Sequence, residues 1–184
     1  MIRIGVTGHR ILAEIERIQG GVEEALCRID RLFGGKPMTC ISSLAEGADR
    51  IVARQVLMRS GARLIVALPL PESEYIDDFV SIESRAEFSN LFHRADEVAQ
   101  IPSTATREQA YEAAGKYVVA NSDVLIAIWD GGSARGRSGT GEMVALARER
   151  GIPLAWVHAG NRDPETRRPR TLGESQGLVS FENF

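Results

Sequence analysis

The sequence predicts an α/β fold: a doubly wound, mainly parallel sheet with helices on both faces. Three observations carry this expectation. Apolar runs of strand length alternate with stretches of helical periodicity along most of the 184 residues. Those runs are continuously apolar rather than alternating, as strands covered on both faces are. The residues able to do chemistry gather directly behind three of the runs, where open α/β sheets bind their ligands.

The elements follow in order. Residues 2–6 (IRIGV) form a first strand, and Thr7-Gly8-His9-Arg10 turns the chain into a helix marked by Ile15, Ile18, Val22, Leu26, Ile29 and Phe33. Gly20 and Gly21 weaken that helix, and Gly34, Gly35 and Pro37 stop it. Residues 38–41 give a second strand. Ser43-Leu44-Ala45-Glu46 matches a capping box, predicting a helix that turns Ala48, Ile51, Val52, Gln55 and Val56 toward the sheet and ends at Ser60-Gly61. Residues 63–68 are a third strand, closed by Pro69 and Pro71. Residues 71–94 mix Glu72, Glu74, Asp77, Asp78, Glu83 and Glu87 with Tyr75, Phe79, Phe88 and Phe92, and read as short helices outside the sheet, a solvated cover. A short strand at 97–101 precedes a helix opened by a second capping box, Thr106-Arg107-Glu108-Gln109, that runs to about Asn121. Residues 123–129 are the most apolar strand. A helix at 141–150 and a strand at 153–157 complete the pattern, so residues 1–160 are expected to form one domain. Residues 161–184 read as a tail without periodicity, with 178–181 available as a last edge strand.

Composition bounds the function. A chain of this length suits one domain with a real core, and 43% hydrophobic with 26% charged residues is the balance of an ordinary globular protein. Apolar runs such as 124–129 are far too short to span a membrane, and the start shows no charged region followed by an apolar one; a cytoplasmic protein is expected, with no membrane partner. Cys27 lies on a helical stripe and Cys40 in a strand, which fits two reduced thiols. No histidines, cysteines or carboxylates stand at metal-ligand spacing, so no metal is expected. The net charge of −3 and the 6% aromatic content offer neither a basic groove nor stacking platforms, so nucleic acid is not expected as a partner.

Anion binding must then be local, and the stretch IWDGGSARGRSGTGEMV, residues 128–144, offers it. Its glycines allow close backbone approach at a helix start, where free amides and the helix dipole favour a phosphate. Thr140 adds a hydroxyl, and Arg135 and Arg137 can add charge-assisted hydrogen bonds. The first turn exposes Thr7, His9 and Arg10, but Gly5-Val6-Thr7-Gly8 lacks the third glycine of a dinucleotide fingerprint. His9 reads either as a surface hydrogen-bonding residue or as a contact to phosphate or sugar. Glu46 serves a cap or a ribose hydroxyl. Glu142 serves the helix dipole or the ligand, and Asp49 and Arg50 either brace the site or face water.

Taken together, GVTGHR, SLAEGADRIVA (43–53), LPLPESEYIDDF (68–79) and SDVLIAIWDGGSARGRSGTGE (122–142) resemble the SLOG superfamily over roughly residues 1–160. These are Rossmann-like domains related to the LOG, or "lysine decarboxylase-like", enzymes. The resemblance implies a nucleotide or nucleotide-derived ligand, with no further cofactor, in a site drawn from Thr7, Gly8, His9, Arg10, Ser43, Glu46, Gly47, Asp130, Gly131, Arg135, Arg137, Gly139, Thr140, Gly141 and Glu142. It also implies a homodimer; the helix carrying Tyr111, Ala114, Tyr117 and Val118 supplies either that interface or core. Departures are clear. The PGGxGTxxE stretch of LOG enzymes is altered by Asp130 and by an insertion at 133–137, Glu142 follows Thr140 by two residues, and no MHxRK stretch exists. Two functions stay open: a nucleotide sensor or regulatory domain, and a phosphoribohydrolase cleaving the N-glycosidic bond of a nucleoside 5′-monophosphate, with Glu142 and Glu46 as the catalytic carboxylates.

Overall fold

The computed structural model describes residues 1–102, 104–133 and 139–184, and among them seven strands form one sheet. β1 (Ile2–Gly8) lies at its centre. β2 (Met38–Ser42), β3 (Arg63–Leu68) and β4 (Glu97–Gln100) extend one side, and β5 (Val124–Trp129), β6 (Leu154–His158) and β7 (Val179–Glu182) the other. Every neighbouring pair is parallel except β6 and β7. The helices are α1 (Ile15–Leu32), α2 (Ala48–Leu57), the single turn α3 (Glu72–Tyr75), α4 (Ile82–Phe92), α5 (Arg107–Ala120) and α6 (Thr140–Glu149).

The double winding follows from β5. All six of its residues are buried. Val124, Ile126 and Ile128 join a core with Ile18, Val22 and Leu26 of α1 and Ile51 and Val52 of α2. Leu125, Ala127 and Trp129 point the other way, into a second cluster with Val119 of α5 and Met143, Val144 and Ala147 of α6. A strand with period-two side chains and helices on both faces must be apolar throughout, and each such side chain contributes roughly 1.5–3 kcal/mol on burial. Among the described residues no helix is long and apolar enough to cross a membrane.

Three segments depart from expectation. The stretch at 71–94 is more than a solvated cover: Tyr75, Phe79 and Phe88 are 1%, 0% and 0% exposed. The Tyr75 ring meets the other two edge to face, 5.2 and 5.6 Å between centroids, a favoured aromatic geometry. The capping box at 43–46 does not cap. The helix begins at Ala48 behind Gly47 without a side-chain cap, and in the turn before it the Ser42 hydroxyl, not that of Ser43, accepts an amide, that of Leu44 (2.9 Å). The second box is real, since the Thr106 hydroxyl accepts the Gln109 amide (3.2 Å). Finally, the tail supplies the edge strand expected at 178–181, but it is also held to the body ahead of that strand. β7 pairs antiparallel with β6, and Gln176, 1% exposed, accepts the amides of Gly160 (2.9 Å) and Leu172 (3.0 Å) while donating to the Ala13 carbonyl (2.9 Å).

Candidate functional site

The chain leaves β1 toward β2 on one side, and β5, its other neighbour, leads away toward β6. Loops therefore part above the carboxyl ends of β1 and β5, which opens a crevice at this switch point. A cavity of about 620 Å³ lies there, lined by Gly8, His9 and Arg10 after β1, by Trp129 and Asp130 after β5, and by Gly139, Thr140 and Gly141 where α6 begins.

Close packing builds its floor. Gly8 sits opposite Ile128 in the β1–β5 ladder, and a Cβ there would fall 2.4 Å from the Ala48 Cβ and 2.7 Å from the Ile128 carbonyl oxygen. The His9 amide prolongs the ladder to the Ile128 carbonyl (3.0 Å), and the His9 carbonyl accepts the Ala48 amide (3.1 Å), so the first amide of α2 already has a protein partner. Gly47 makes this contact possible. Its φ of +75° lies in the region that favours glycine, and a Cβ would sit 2.4 Å from the Arg10 carbonyl oxygen.

The start of α6 differs. Its first turn closes when the amides of Glu142 and Met143 reach the Gly139 carbonyl (3.0 and 3.3 Å), and no side chain among the described residues caps it. The amides of Thr140 and Gly141 are therefore those that a helix start leaves for an outside acceptor. Across the crevice His9 is 8% exposed. The Asp130 amide donates to its Nε2 (3.1 Å), which makes that nitrogen an acceptor in the neutral ring, and the Asp130 carboxylate lies 3.2 Å from the same nitrogen.

Arg10 stands between this crevice and a second cleft of about 630 Å³, which Glu46, Gly47, Arg50 and Ser84 line. Here Glu46 accepts a hydrogen bond from the Ser84 hydroxyl. Arg50, 1% exposed, donates to the Leu44 carbonyl (3.0 Å), to the Ser84 carbonyl and hydroxyl (2.9 Å each) and to Glu87 (3.0 Å), with its guanidinium 4.4 Å from the centre of the Phe79 ring. Asp49 is buried too, accepting the Ser42 hydroxyl (2.7 Å) and the Ser43 amide (3.1 Å). Burial pushes its carboxyl up, opposed by the Ser42 hydrogen bond and the charge of Arg10. Asp49 and Arg50 thus brace the fold.

The sequence-derived set divides accordingly. Gly8, His9, Arg10, Asp130, Gly139, Thr140 and Gly141 come together around the crevice. Glu46 and Gly47 line the second cleft instead, because the chain turns at Leu44 (φ +56°) and Gly47 before α2 starts. Thr7, Ser43, Gly131 and Glu142 line neither; Ser43 offers its amide to Asp49, Gly131 takes a φ of +81° against Trp156, and Glu142 Oε2 is buried without a hydrogen-bond partner. Arg135 and Arg137 lie outside the described residues. The sequence reading missed Glu108 and the turn carrying Asn161, Arg162, Pro164 and Arg167, all of which line the crevice. Asp163-Pro164-Glu165-Thr166 is the signal that marks this turn, with Asp163 accepting the amides of Glu165 and Thr166. Ala114 and Val118 of α5 are 1% and 2% exposed and belong to the interior. Cys27 and Cys40 are free thiols, and burial pushes that of Cys40 up.

No family model matches the chain. No curated protein matches its sequence. The structure is similar to that of DNA processing protein A from Helicobacter pylori, described by its single-stranded DNA binding mode: TM-score 0.55, 18% identity, over 96% of this chain and 69% of that one. It is also similar to the structural genomics target TM1055, with TM-score 0.50 and 15% identity over 84% of this chain and 72% of that one. Both likenesses show a Rossmann-like α/β fold. The first corrects the expectation that excluded nucleic acid. Overall acidity and few aromatics argue only against a basic groove along the whole surface, whereas a protein of this fold binds single-stranded DNA.

Proposed function

We propose that the crevice above β1 and β5 binds a nucleotide or nucleotide-derived ligand, its phosphate seated on the amides of Thr140 and Gly141, as a sensor or regulatory domain of the SLOG kind. The observation that carries this reading is a helix start, uncapped among the described residues, that opens into a 620 Å³ cavity beside Arg10. A cavity of this size suits a nucleotide. The hydrolase reading loses the two carboxylates assigned to it, since neither Glu46 nor Glu142 lines the crevice; the carboxylates that do are Asp130 and Glu108. Isothermal titration with adenosine and guanosine 5′-phosphates tests the proposal. Thr140→Val, which removes a hydroxyl donor to a charged group, should weaken binding about 10-fold or more. Absence of binding by every nucleotide, or an unaffected variant, would overturn it. Chromatography of the incubated nucleotides should show no free base.

A second reading is favoured by the likeness to DNA processing protein A. The same seat accepts the phosphate of a single-stranded DNA backbone, with Arg10 as the cation. Fluorescence anisotropy with a labelled oligodeoxythymidine decides it: binding that weakens steeply with salt and is displaced by free nucleotide places DNA in the crevice.

A further inference from the structure

We infer that the ligand of this crevice carries more than one phosphoryl group, and that the turn at residues 161–170 provides the second anion seat through Arg162 and Arg167. The inference rests on the nucleotide reading above and names the class of nucleotide, a di- or triphosphate rather than a monophosphate.

The charge on the cavity wall is the first argument. Arg10, Arg162 and Arg167 all line the crevice. Among the described residues none of the three makes an ion pair. Two carboxylates share the wall with these three arginines: Asp130, which is occupied by the Gly132 amide (3.0 Å) and lies against His9, and Glu108 near the start of α5, which pairs with none of the three. Cations gathered on one concave wall of a protein whose net charge is −3 make a local positive field that a polyanion relieves. One phosphoryl group on the α6 amides would leave Arg162 and Arg167 unanswered.

The second argument is how the turn disposes of its own acid. Asp163 accepts the amides of Glu165 (2.9 Å) and Thr166 (2.8 Å) and pairs with Arg170. These bonds, the Thr166 amide first, hold its carboxyl down at about 2. It therefore stays ionised but committed, and does not neutralise Arg162 or Arg167.

The third is preorganisation. The Asp163 amide reaches the Arg168 carbonyl (2.7 Å), the Arg167 amide the Asp163 carbonyl (3.0 Å) and the Arg170 amide the Asn161 carbonyl (3.0 Å). Gln176 ties the segment on either side of the turn to the Ala13 carbonyl, ahead of α1. Two arginines on a fixed turn lose less freedom on binding than arginines on a free tail.

Titration of adenosine and guanosine 5′-mono-, di- and triphosphate into the full chain, wild type and Arg162→Gln/Arg167→Gln, tests the inference. Wild type should prefer di- or triphosphate over monophosphate by at least ~10-fold; the double variant should reduce that preference below ~3-fold, with di- and triphosphate losing more affinity than monophosphate. Arg168→Gln, in the same turn but off the cavity wall, should leave the preference intact. Equal affinity of wild type for the three phosphate lengths, or a preference that survives in the double variant, overturns the inference while the nucleotide reading stands. Failure of every nucleotide to bind overturns both.

Discussion

Arg10 separates two clefts of nearly equal volume, about 620 and 630 Å³, whose polar groups are in opposite states. On one side the start of α6 is uncapped and Arg10, Arg162 and Arg167 have no carboxylate partner among the described residues. On the other, Glu46, Ser84, Arg50 and Glu87 form a connected network, although Arg50 Nη2 is buried without a hydrogen-bond partner among the described residues. A buried polar group that already has its partner must break that bond before it can hold a ligand. The comparison teaches that volume does not distinguish the two clefts; the share of their charged groups already paired does. On the proposed reading the first cleft binds and the second braces.

The sharpest break comes at the wall the clefts share. Gly47→Val places a β-branched residue at φ +75° and drives its Cβ to 2.4 Å from the Arg10 carbonyl oxygen. Left-handed strain and overpacking together should cost about 4 kcal/mol, read as a lower denaturation midpoint. Nucleotide binding and stability should fail together. A variant that keeps its midpoint would show that the two clefts are not mechanically joined through this residue.

Arg50→Ala acts on the bracing side alone. It removes a guanidinium of 2% exposure from Glu87, itself 35% exposed, and from the Leu44 and Ser84 carbonyls. Stability should fall by about 3 kcal/mol, at the low end for a broken buried pair because Glu87 keeps contact with water. Affinity for a nucleoside diphosphate, measured by titration below the unfolding transition, should change less than ~3-fold, within the reach of indirect effects. A loss as large as that of Thr140→Val would move Arg50 into the binding machinery. Glu46→Gln is milder. The amide oxygen still accepts the Ser84 hydroxyl, so affinity should stay within ~2-fold and stability within about 1 kcal/mol.

These contrasts also explain what the sequence revealed. β5 and the turn after β1 were legible because burial on both faces leaves an unbroken apolar run, and the turn residues stand where that run stops. The bracing cleft was misread. Ser43-Leu44-Ala45-Glu46 has the composition of a capping box, but composition does not report that Leu44 is buried at φ +56° and that Gly47 delays the helix start to Ala48. At 71–94 the acidic residues suggested a solvated cover, while the aromatic residues among them were the true signal of an inward face. The turn at 161–170 has no periodicity of its own. Its place on the cavity wall is decided by the antiparallel return of β7 along β6, a tertiary fact that local pattern does not carry.

The smallest expected effect probes where Arg10 belongs. Burial raises the Asp49 carboxyl above its unfolded value, and the positive charge of Arg10 works against that rise. The folded state therefore favours the neutral acid. This contribution to stability is complete below the unfolded carboxyl value of about 3.9 and is lost as pH rises through the raised folded value. Asp49→Asn keeps an oxygen for the Ser42 hydroxyl and the Ser43 amide and removes the charge. Denaturant unfolding between about pH 4 and pH 8 should show the variant gaining on wild type as pH rises, then holding a constant advantage. A flat difference would mean that the charge of Arg10 cancels the burial of Asp49 at every pH. Arg10 would then already be committed to the bracing cleft, and the binding crevice would have to rely on Arg162 and Arg167 alone for its cations among the described residues.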